Sequence, residues 1–417
     1  VILRPYQIDG ARFLAARRHA LLADEMRVGK TPQAIVAADL VCAQRVLVLC
    51  PAIGVDQWVA EWRRWSSQRE VERFIDGPLG KGVVVSSYAR ASLHASFLSS
   101  IKWDVVIADE AHAAKNPHAA RTKLVYGREG VGWNSRRLWA LTGTPAGRHA
   151  GELWPMLRAF GVVKLDYAAF LSVYCDMDPL TQRVYGTKAR RIPELREMLA
   201  TVMLRRLRSE VSPHMEPISY EFLEGGSTYD ELDPLRVPEA DDRKTLTWIE
   251  QRKFDPTLAA QRIAVARSKV PTLLCEITSA LENDLYKKTV VFGTYQEPLH
   301  QLATKLTNAS YRAAVLNGAT PEPKRAQIQR DFRDGDLQVI CANIQTAGTA
   351  IDLSAASHGY FLELDWVPAN NVQAANRLVS LSKKEPVTFD ILTHTGSIDD
   401  RVQRVLIRRV KQLSQLY

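Results

Sequence analysis

Short apolar runs recur along the chain at intervals that a helix can fill. Leu21-Leu22-Ala23, Arg45-Val-Leu-Val-Leu-Cys-Pro51, Gly82-Val-Val-Val-Ser-Ser-Tyr88, Trp103-Asp-Val-Val-Ile-Ala-Asp109 and Arg137-Leu-Trp-Ala-Leu each close on a turn, a proline or polar residues. Their β-branched and leucine content predicts buried strands. Leu3 to about Arg18 and the Ala-rich Thr31 to Val41 read as helices, the second starting at Pro32, because proline suits a first helical turn. Trp58, Trp62 and Trp65 share one face of a third helix, a stripe that predicts core packing rather than a platform for bases. Residues 151–215 read as helical and basic. Further strands are predicted at Thr289–Thr294, Arg312–Leu316, Leu337–Ala342, Gly359–Leu364 and Val387–Leu392. Strands alternating with helices predict parallel sheets. Ser397-Ile-Asp-Asp400 reads as a capping start, and Val402, Val405, Leu406, Val410 and Leu413 as the apolar face of a closing helix that packs back on a lobe.

A length of 417 residues predicts two domains of about 200 residues. The division falls at residues 213–258, which carry Pro, Gly225-Gly226 and an acidic run. Hydrophobic content of 46% with 24% charged residues suits a globular chain, and the absence of an 18-residue apolar run argues against a membrane span. The five cysteines are scattered without CxxC spacing, which predicts neither a zinc site nor a disulfide framework and points to a reducing compartment. Val1 opens the chain with no signal-like segment, as in a trimmed chain or a fragment. The net charge of +9 leaves two readings open, a solvated basic surface or a nucleic-acid partner.

Chemistry concentrates where strands end. Asp24-Glu25-Met26-Arg27-Val28-Gly29-Lys30-Thr31 joins a strand to a helix and ends in Gly-Lys-Thr, the pattern of a phosphate cradle. Backbone N–H groups and the helix dipole favour an anion there. Lys30 is the candidate for the β/γ-phosphates and Thr31 for Mg²⁺. Asp109-Glu110-Ala111-His112 caps a strand at the edge where open parallel sheets bind ligands. Asp109 is placed to hold Mg²⁺ through water, and Glu110 to orient and deprotonate an attacking water. Gln7 has an amide able to pair with an adenine edge, although by itself it reads first as a surface residue of the first helix. Thr142-Gly143-Thr144-Pro145 ends a further strand in hydroxyls able to couple the site to other parts.

The order Gln7, Gly29-Lys30-Thr31, Asp109-Glu110-Ala111-His112, Thr142-Gly143-Thr144-Pro145 resembles a superfamily 2 helicase core. Leu3-Arg4-Pro5-Tyr6-Gln7 with Ala23-Asp24-Glu25-Met26 is similar to the Swi/Snf-type DNA translocases. Glu363-Leu-Asp365-Trp366-Val367-Pro368 with Gln373-Ala374 resembles their annealing-helicase branch. The resemblance implies an α/β fold of two RecA-like lobes, each a parallel sheet flanked by helices, with small helical insertions. Lobe 1 spans residues 1–212, with a helical insertion at about 151–212, the linker and a small protrusion span 213–258, and lobe 2 spans 259–417.

It implies ATP and Mg²⁺ in the cleft between the lobes. Glu110, Lys30, Arg377 and Gln373 are the implied catalytic set. Arg4, Gln7, Asp24, Met26, Arg27, Val28, Gly29, Lys30, Thr31 and Asp352 are implied to bind the nucleotide, and Thr31 and Asp109 the metal. Ser86, Ser87, Thr144, Gly318, Thr346 and Trp366 are implied to face DNA, with a buried anchor the equal alternative for Trp366. Arg205-Arg206-Leu-Arg208 is either a wet basic face or a DNA contact.

Three positions depart from the family pattern. Arg27 and Ala350 stand where the family has Gly, and Ser380 where it has a second arginine after Arg377. The resemblance implies an ATP-dependent translocase on double-stranded or branched DNA, expected as a monomer, with single-stranded DNA a further candidate partner. A nucleotide-gated DNA-binding module with weakened catalysis and an RNA helicase are the alternatives. Lys383 and Arg27 are candidates to replace the lost arginine. The compact length suits a bacterial or phage protein, cytoplasmic and nucleoid-associated; a eukaryotic one would be nuclear.

Overall fold

The computed structural model describes residues 2–66, 69–77, 79–80, 82–212, 217–225, 256–347, 351–380, 383, 385–394, 397, 399, 402–403 and 406. The chain divides into two compact units, Val1–Val211 and Ser212–Lys411. Each is built on one parallel sheet flanked by helices, the architecture of a RecA-like lobe.

In the first unit the elements run α1 (Pro5–Ala15), β1 (His19–Leu22), α2 (Lys30–Leu40), β2 (Arg45–Cys50), α3 (Val55–Trp65), β3 (Val71–Arg73) and β4 (Gly82–Ser87). Next come α4 (Tyr88–Leu93), α5 (Ala95–Ser100), β5 (Val105–Asp109), α6 (Ala120–Tyr126), β6 (Arg137–Leu141), α7 (Trp154–Ala159) and α8 (Tyr167–Tyr174). The unit ends with β7 (Cys175–Met177), β8 (Val184–Thr187), α9 (Ile192–Ala200), β9 (Met203–Leu204) and α10 (Arg208–Val211). The sheet order is β3-β4-β2-β5-β6-β1-β9. Val46 to Cys50 are fully buried, because helices cover both faces of the sheet and no solvent side is left to a polar residue. Leu47 and Leu49 pack into one apolar layer and Val46 and Val48 into the other. β5, β6 and β1 are neighbours, so the loops leaving their C-terminal ends lie side by side.

The second unit contains β10 (Ser219–Glu224), α11 (Pro256–Glu282), β11 (Thr289–Gly293), α12 (Gln296–Asn308), β12 (Ala313–Leu316) and α13 (Glu322–Asp334). It continues with β13 (Val339–Asn343), α14 (Ile344–Ala347), β14 (His358–Phe361), α15 (Pro368–Ala375) and β15 (Thr388–Thr393). Its order is β10-β15-β14-β11-β13-β12. The five predicted strands are all present, with ends shifted by up to three residues.

The expectations differ from the fold in three places. The first-turn helix α2 begins at Lys30, because Gly29 in the left-handed region (φ 82°) caps it. The stretch 151–215, read as helical, contains the antiparallel pair β7–β8, whose turn is set by Asp178 accepting from Leu180 N and Thr181 N at 2.9 and 2.8 Å. Ser219–Glu224, inside the segment read as linker, pairs with β15 along its whole length. Val405, Val410 and Leu413 of the closing helix, and Ala350, lie outside the described residues, whereas Val402 and Leu406 are buried against Leu258 and Val265. Among the described residues no helix is long and apolar enough to cross a membrane.

A buried ionic knot ties α11 to its sheet. Lys269 is fully buried and donates to Asp399 Oδ2 at 2.6 Å, to Leu392 O at 3.1 Å and to Leu362 O. Arg262, also fully buried, lies 3.7 Å from Asp399 Oδ1 and donates to Leu364 O at 2.7 Å. Removing one partner of such a pair leaves an uncompensated charge. Lys269→Ala is therefore expected to cost about 3–5 kcal/mol in urea unfolding of the second unit, whereas exposed Lys324→Ala should change it by about 0.5 kcal/mol or less.

Candidate nucleotide site

The loop from Ala23 to Gly29 leaves β1 and delivers Lys30 and Thr31 to the first turn of α2. Arg27 and Gly29 both take positive φ, 64° and 82°. A Cβ on Gly29 would stand 2.5 Å from Gln7 Nε2, so only glycine allows this approach. Arg27 bears the cost of a left-handed residue that has a side chain, which explains why glycine is the family's residue there. Gln7 is buried; its Nε2 donates to Val28 O at 3.3 Å and its Oε1 accepts from Arg4 N at 3.0 Å. Tyr6 OH donates to the same carbonyl at 3.0 Å. The side chain of Arg4 is exposed.

The Lys30 ammonium folds back over the loop, donating to Asp24 O at 2.9 Å and Glu25 O at 3.2 Å. Burial lowers its pKa, against the pull of Glu110, Asp24 and Asp109. Gly29 supplies no side-chain cap to α2, so the first N–H groups of the helix keep their anion-binding character.

Asp24 does a different job from the nucleotide contact expected of it. It is fully buried, and Arg206 grips both its oxygens, Nε to Oδ1 at 3.0 Å and Nη2 to Oδ2 at 2.6 Å. Gln33 Nε2 donates to Oδ2 at 3.1 Å, and Arg206 also donates to Gln33 Oε1 at 2.7 Å and to Tyr6 O. Gly10 of α1 makes room, since a Cβ there would stand 1.7 Å from Gln33 Oε1. Arg205 donates to Ala23 O at 3.0 Å and Gly143 O at 3.2 Å, and Arg208 to Glu25 Oε1 at 2.7 Å. The Arg205–Arg208 block is thus not a wet basic face, since its three arginines are partly or fully buried and bonded within the unit. It holds the phosphate loop from behind, a role that β9 makes possible by pairing with β1. Met26 lies against Gly143, whose Cβ would meet its Cγ at 3.0 Å.

Asp109 ends β5. Its Oδ2 accepts from Trp58 Nε1 at 2.7 Å, and Tyr88 OH donates to its carbonyl at 2.7 Å. Burial and the neighbouring Glu110 push its pKa up to about 6, although Trp58 and Lys30 pull the other way. Glu110 is left-handed, φ 47° and ψ 49°. His112 Nδ1 lies 3.3 Å from Glu110 Oε2 and 3.0 Å from Thr142 Oγ1. The carboxylate accepts only, so the Nδ1–H tautomer fits this contact. Thr142 Oγ1 in turn accepts from Thr144 N at 3.1 Å. The acid after β5 is thereby linked to the loop after β6. Trp58 carries a second role beside its core packing, which the helical stripe alone did not signal.

The donor set fits a magnesium-bound nucleoside triphosphate. A lysine and an uncapped helix N-terminus would suit a triphosphate, the Thr31 hydroxyl and Asp109 carboxylate would offer hard oxygen ligands for the metal, and Glu110 would stand beside them as a base.

The remaining expected residues fall into separate places. Ser86 is 1% exposed, which rules it out as a DNA contact in this conformation; Ser87 accepts from Arg90 N at 3.1 Å and caps α4. Thr144 is half-buried. In the second unit Gly318 is exposed, its carbonyl held at 3.0 Å by Arg325. Trp366 is half-buried, its ring 4.3 Å from the buried Arg262 guanidinium. The Thr346 backbone belongs to α14, and its side chain lies outside the described set. Gln373 is buried on α15. Arg377 is half-buried, and its carbonyl accepts from Leu353 N at 3.0 Å, which sets the Asp352 segment beside it. Asp352 itself is exposed and accepts from Ser354 N at 3.2 Å. Lys383 donates to Ser354 O at 2.9 Å, Leu378 O at 3.3 Å and Ala356 O. With these three bonds it staples two segments of the second unit.

Two outcomes follow from this geometry. Arg206→Ala should cost about 3 kcal/mol or more, since it strands a buried carboxylate, and urea unfolding checks it. Asp109 binds a proton more readily folded than unfolded, so its charge destabilises the protein above about pH 6 and not below pH 4. Asp109→Asn should accordingly raise the melting temperature of the ligand-free protein at pH 7.5 and change it little at pH 4, as thermal unfolding at the two pH values would report.

Comparison with known proteins shows the family of the chain. The SNF2-related domain family matches residues 6–223, and the helicase conserved C-terminal domain matches residues 269–381. The "DNA annealing helicase and endonuclease ZRANB3" of Mus musculus is 28% identical over 98% of this chain and 40% of its own length. A Caenorhabditis elegans homologue of "SWI/SNF-related matrix-associated actin-dependent regulator of chromatin subfamily A-like protein 1" is 26% identical over 99% of this chain and 62% of its own. A solved "Sulfolobus solfataricus SWI2/SNF2 ATPase core in complex with dsDNA" covers 99% of this chain and 92% of that one, at 20% identity and a TM-score of 0.47. The chain therefore spans between two fifths and two thirds of these curated relatives. It belongs to the SNF2-related family of helicase-like ATPases.

Proposed function

We propose that the protein hydrolyses ATP in response to DNA and uses the cycle to move along duplex or branched DNA. The carrying observation is the convergence of Lys30, Thr31, Asp109 and Glu110 on adjoining loops at the C-terminal edge of one sheet. Family membership and the DNA-acting names of the relatives support DNA as the partner, and the net charge of +9 suits a phosphate backbone.

In this reading Lys30 exchanges its two loop carbonyls for phosphate oxygens. Thr31, and Asp109 through water, would hold Mg²⁺, which would neutralise phosphate charge. Glu110 orients a water and takes its proton, and His112 fixes the carboxylate and relays its position to Thr142. Arg377 is the cation contributed by the second unit, with Gln373 beside it in sequence. Gln7, held by the loop, and Asp352 complete the nucleotide contacts, while Thr144, Gly318 and Thr346 remain assigned to the DNA side.

The rival reading is a nucleotide-gated DNA-binding module. It is favoured by Ser380, a position whose arginine the family uses in turnover; such a residue is worth roughly 10³–10⁵ in rate. Hydrolysis assays separate the two. Lys30→Ala should abolish DNA-stimulated phosphate release, and stimulation surviving that change would remove the site assignment. Ser380→Arg should raise kcat by tenfold or more, on the order of a partial return of that factor; an unchanged kcat would mean that another residue already serves.

A further inference from the structure

The first unit has a basic cavity that the nucleotide chemistry does not use. It lies among α6, α7 and α8, with a volume of about 460 Å³, within the range of roughly 300–1,000 Å³ typical of ligand sites. None of its lining residues belongs to the phosphate loop, the Asp109–Glu110 pair or the Thr142–Pro145 segment.

Its walls are aromatic. Trp154 and Tyr167 pack with ring centroids 5.2 Å apart at 54°, and the largely buried Tyr126 also lines the cavity. The Trp154 indole donates to Leu165 O at 3.0 Å, which fixes the ring before anything binds. The rim is cationic: Lys123, Arg128 and Lys164 are exposed. Arg158 is half-buried and gives one N–H to Val163 O at 3.3 Å. Asp166 is the one carboxylate among the described lining residues, and its Oδ1 is engaged by Ala169 N at 2.8 Å as the cap of α8.

Cations alone would suit any polyanion. Cations around fixed ring faces suit a flat base joined to a phosphate, since every base has a face to stack and stacking is worth about 1–3 kcal/mol per base. A base within a duplex cannot enter, because both its faces are already covered by neighbours. We propose that this cavity holds an unstacked nucleotide of single-stranded DNA, at a DNA site built from residues outside the nucleotide loops. The assignment rests on the DNA-acting reading above, but its test does not pass through ATP hydrolysis.

The test uses the full chain with a labelled oligothymidylate of about 20 nucleotides and a blunt duplex of the same length. Anisotropy should show the double variant Lys123→Glu, Arg128→Glu binding the single strand about tenfold more weakly, with duplex affinity kept within about twofold. Equal losses on both, or no loss, would overturn the proposal, as would displacement of the single strand by polyglutamate of equal charge. A second measurement needs no variant: an oligonucleotide carrying 5-iododeoxyuridine should crosslink to Tyr126, Trp154 or Tyr167, and adducts confined to other residues would overturn it. Loss of DNA-stimulated hydrolysis in other assays would strike the motor reading and leave this outcome unaffected.

Discussion

The buried ion pair of Asp24 and Arg206 is the constraint on which the nucleotide site depends. The carboxylate has no exposure at all and spends both oxygens on one guanidinium and one amide. In such a place a bidentate arginine offsets the desolvation that a lone charge could not survive. The pair joins positions 182 residues apart in the chain. The loop that carries Lys30 is consequently clamped to the last strand of its unit, and its shape is set from behind before any anion arrives. Arg205 and Arg208 extend the clamp to Ala23, Gly143 and Glu25.

From that clamp the order of the sheet explains the rest of the site. Because β5, β6 and β1 are adjacent, a lysine loop, an acid pair and a hydroxyl loop emerge together. His112 joins the last two through Glu110 and Thr142. The strain of left-handed Glu110 and Arg27 sits at these same loops, as backbone strain commonly does at functional sites.

Much of this was legible in the sequence because strand-ending motifs declare themselves locally. Gly29-Lys30-Thr31 and Asp109-Glu110 follow apolar runs that no other element explains, and the strands of the second sheet were read to within a few residues. What escaped were features fixed by distant partners. Asp24 looked like part of the cradle because its partner lies at Arg206. The arginine block looked like a surface because β9 contributes only two residues to the sheet. Trp58 was read as core, correctly by burial, but its indole N–H bond to Asp109 depends on the adjacency of β2 and β5, which periodicity does not encode. Ser219–Glu224 was lost to the linker because its residues are mostly exposed and charged or aromatic, as an edge strand's can be.

Lys383, expected as a reserve cation, donates to the Ser354, Ala356 and Leu378 carbonyls, and Arg377 is the arginine on which the proposed hydrolysis relies, with Ser380 three residues on. Whether the family's chemistry persists with that one arginine is the central claim. The most direct measurement is the steady-state rate of ATP hydrolysis with duplex DNA, single-stranded DNA, RNA or no nucleic acid, in the natural chain and in Glu110→Gln. The account predicts a rate raised by duplex DNA above the other conditions and a fall of about 10²-fold or more in Glu110→Gln. A rate indifferent to nucleic acid, or one that survives Glu110→Gln, would contradict it.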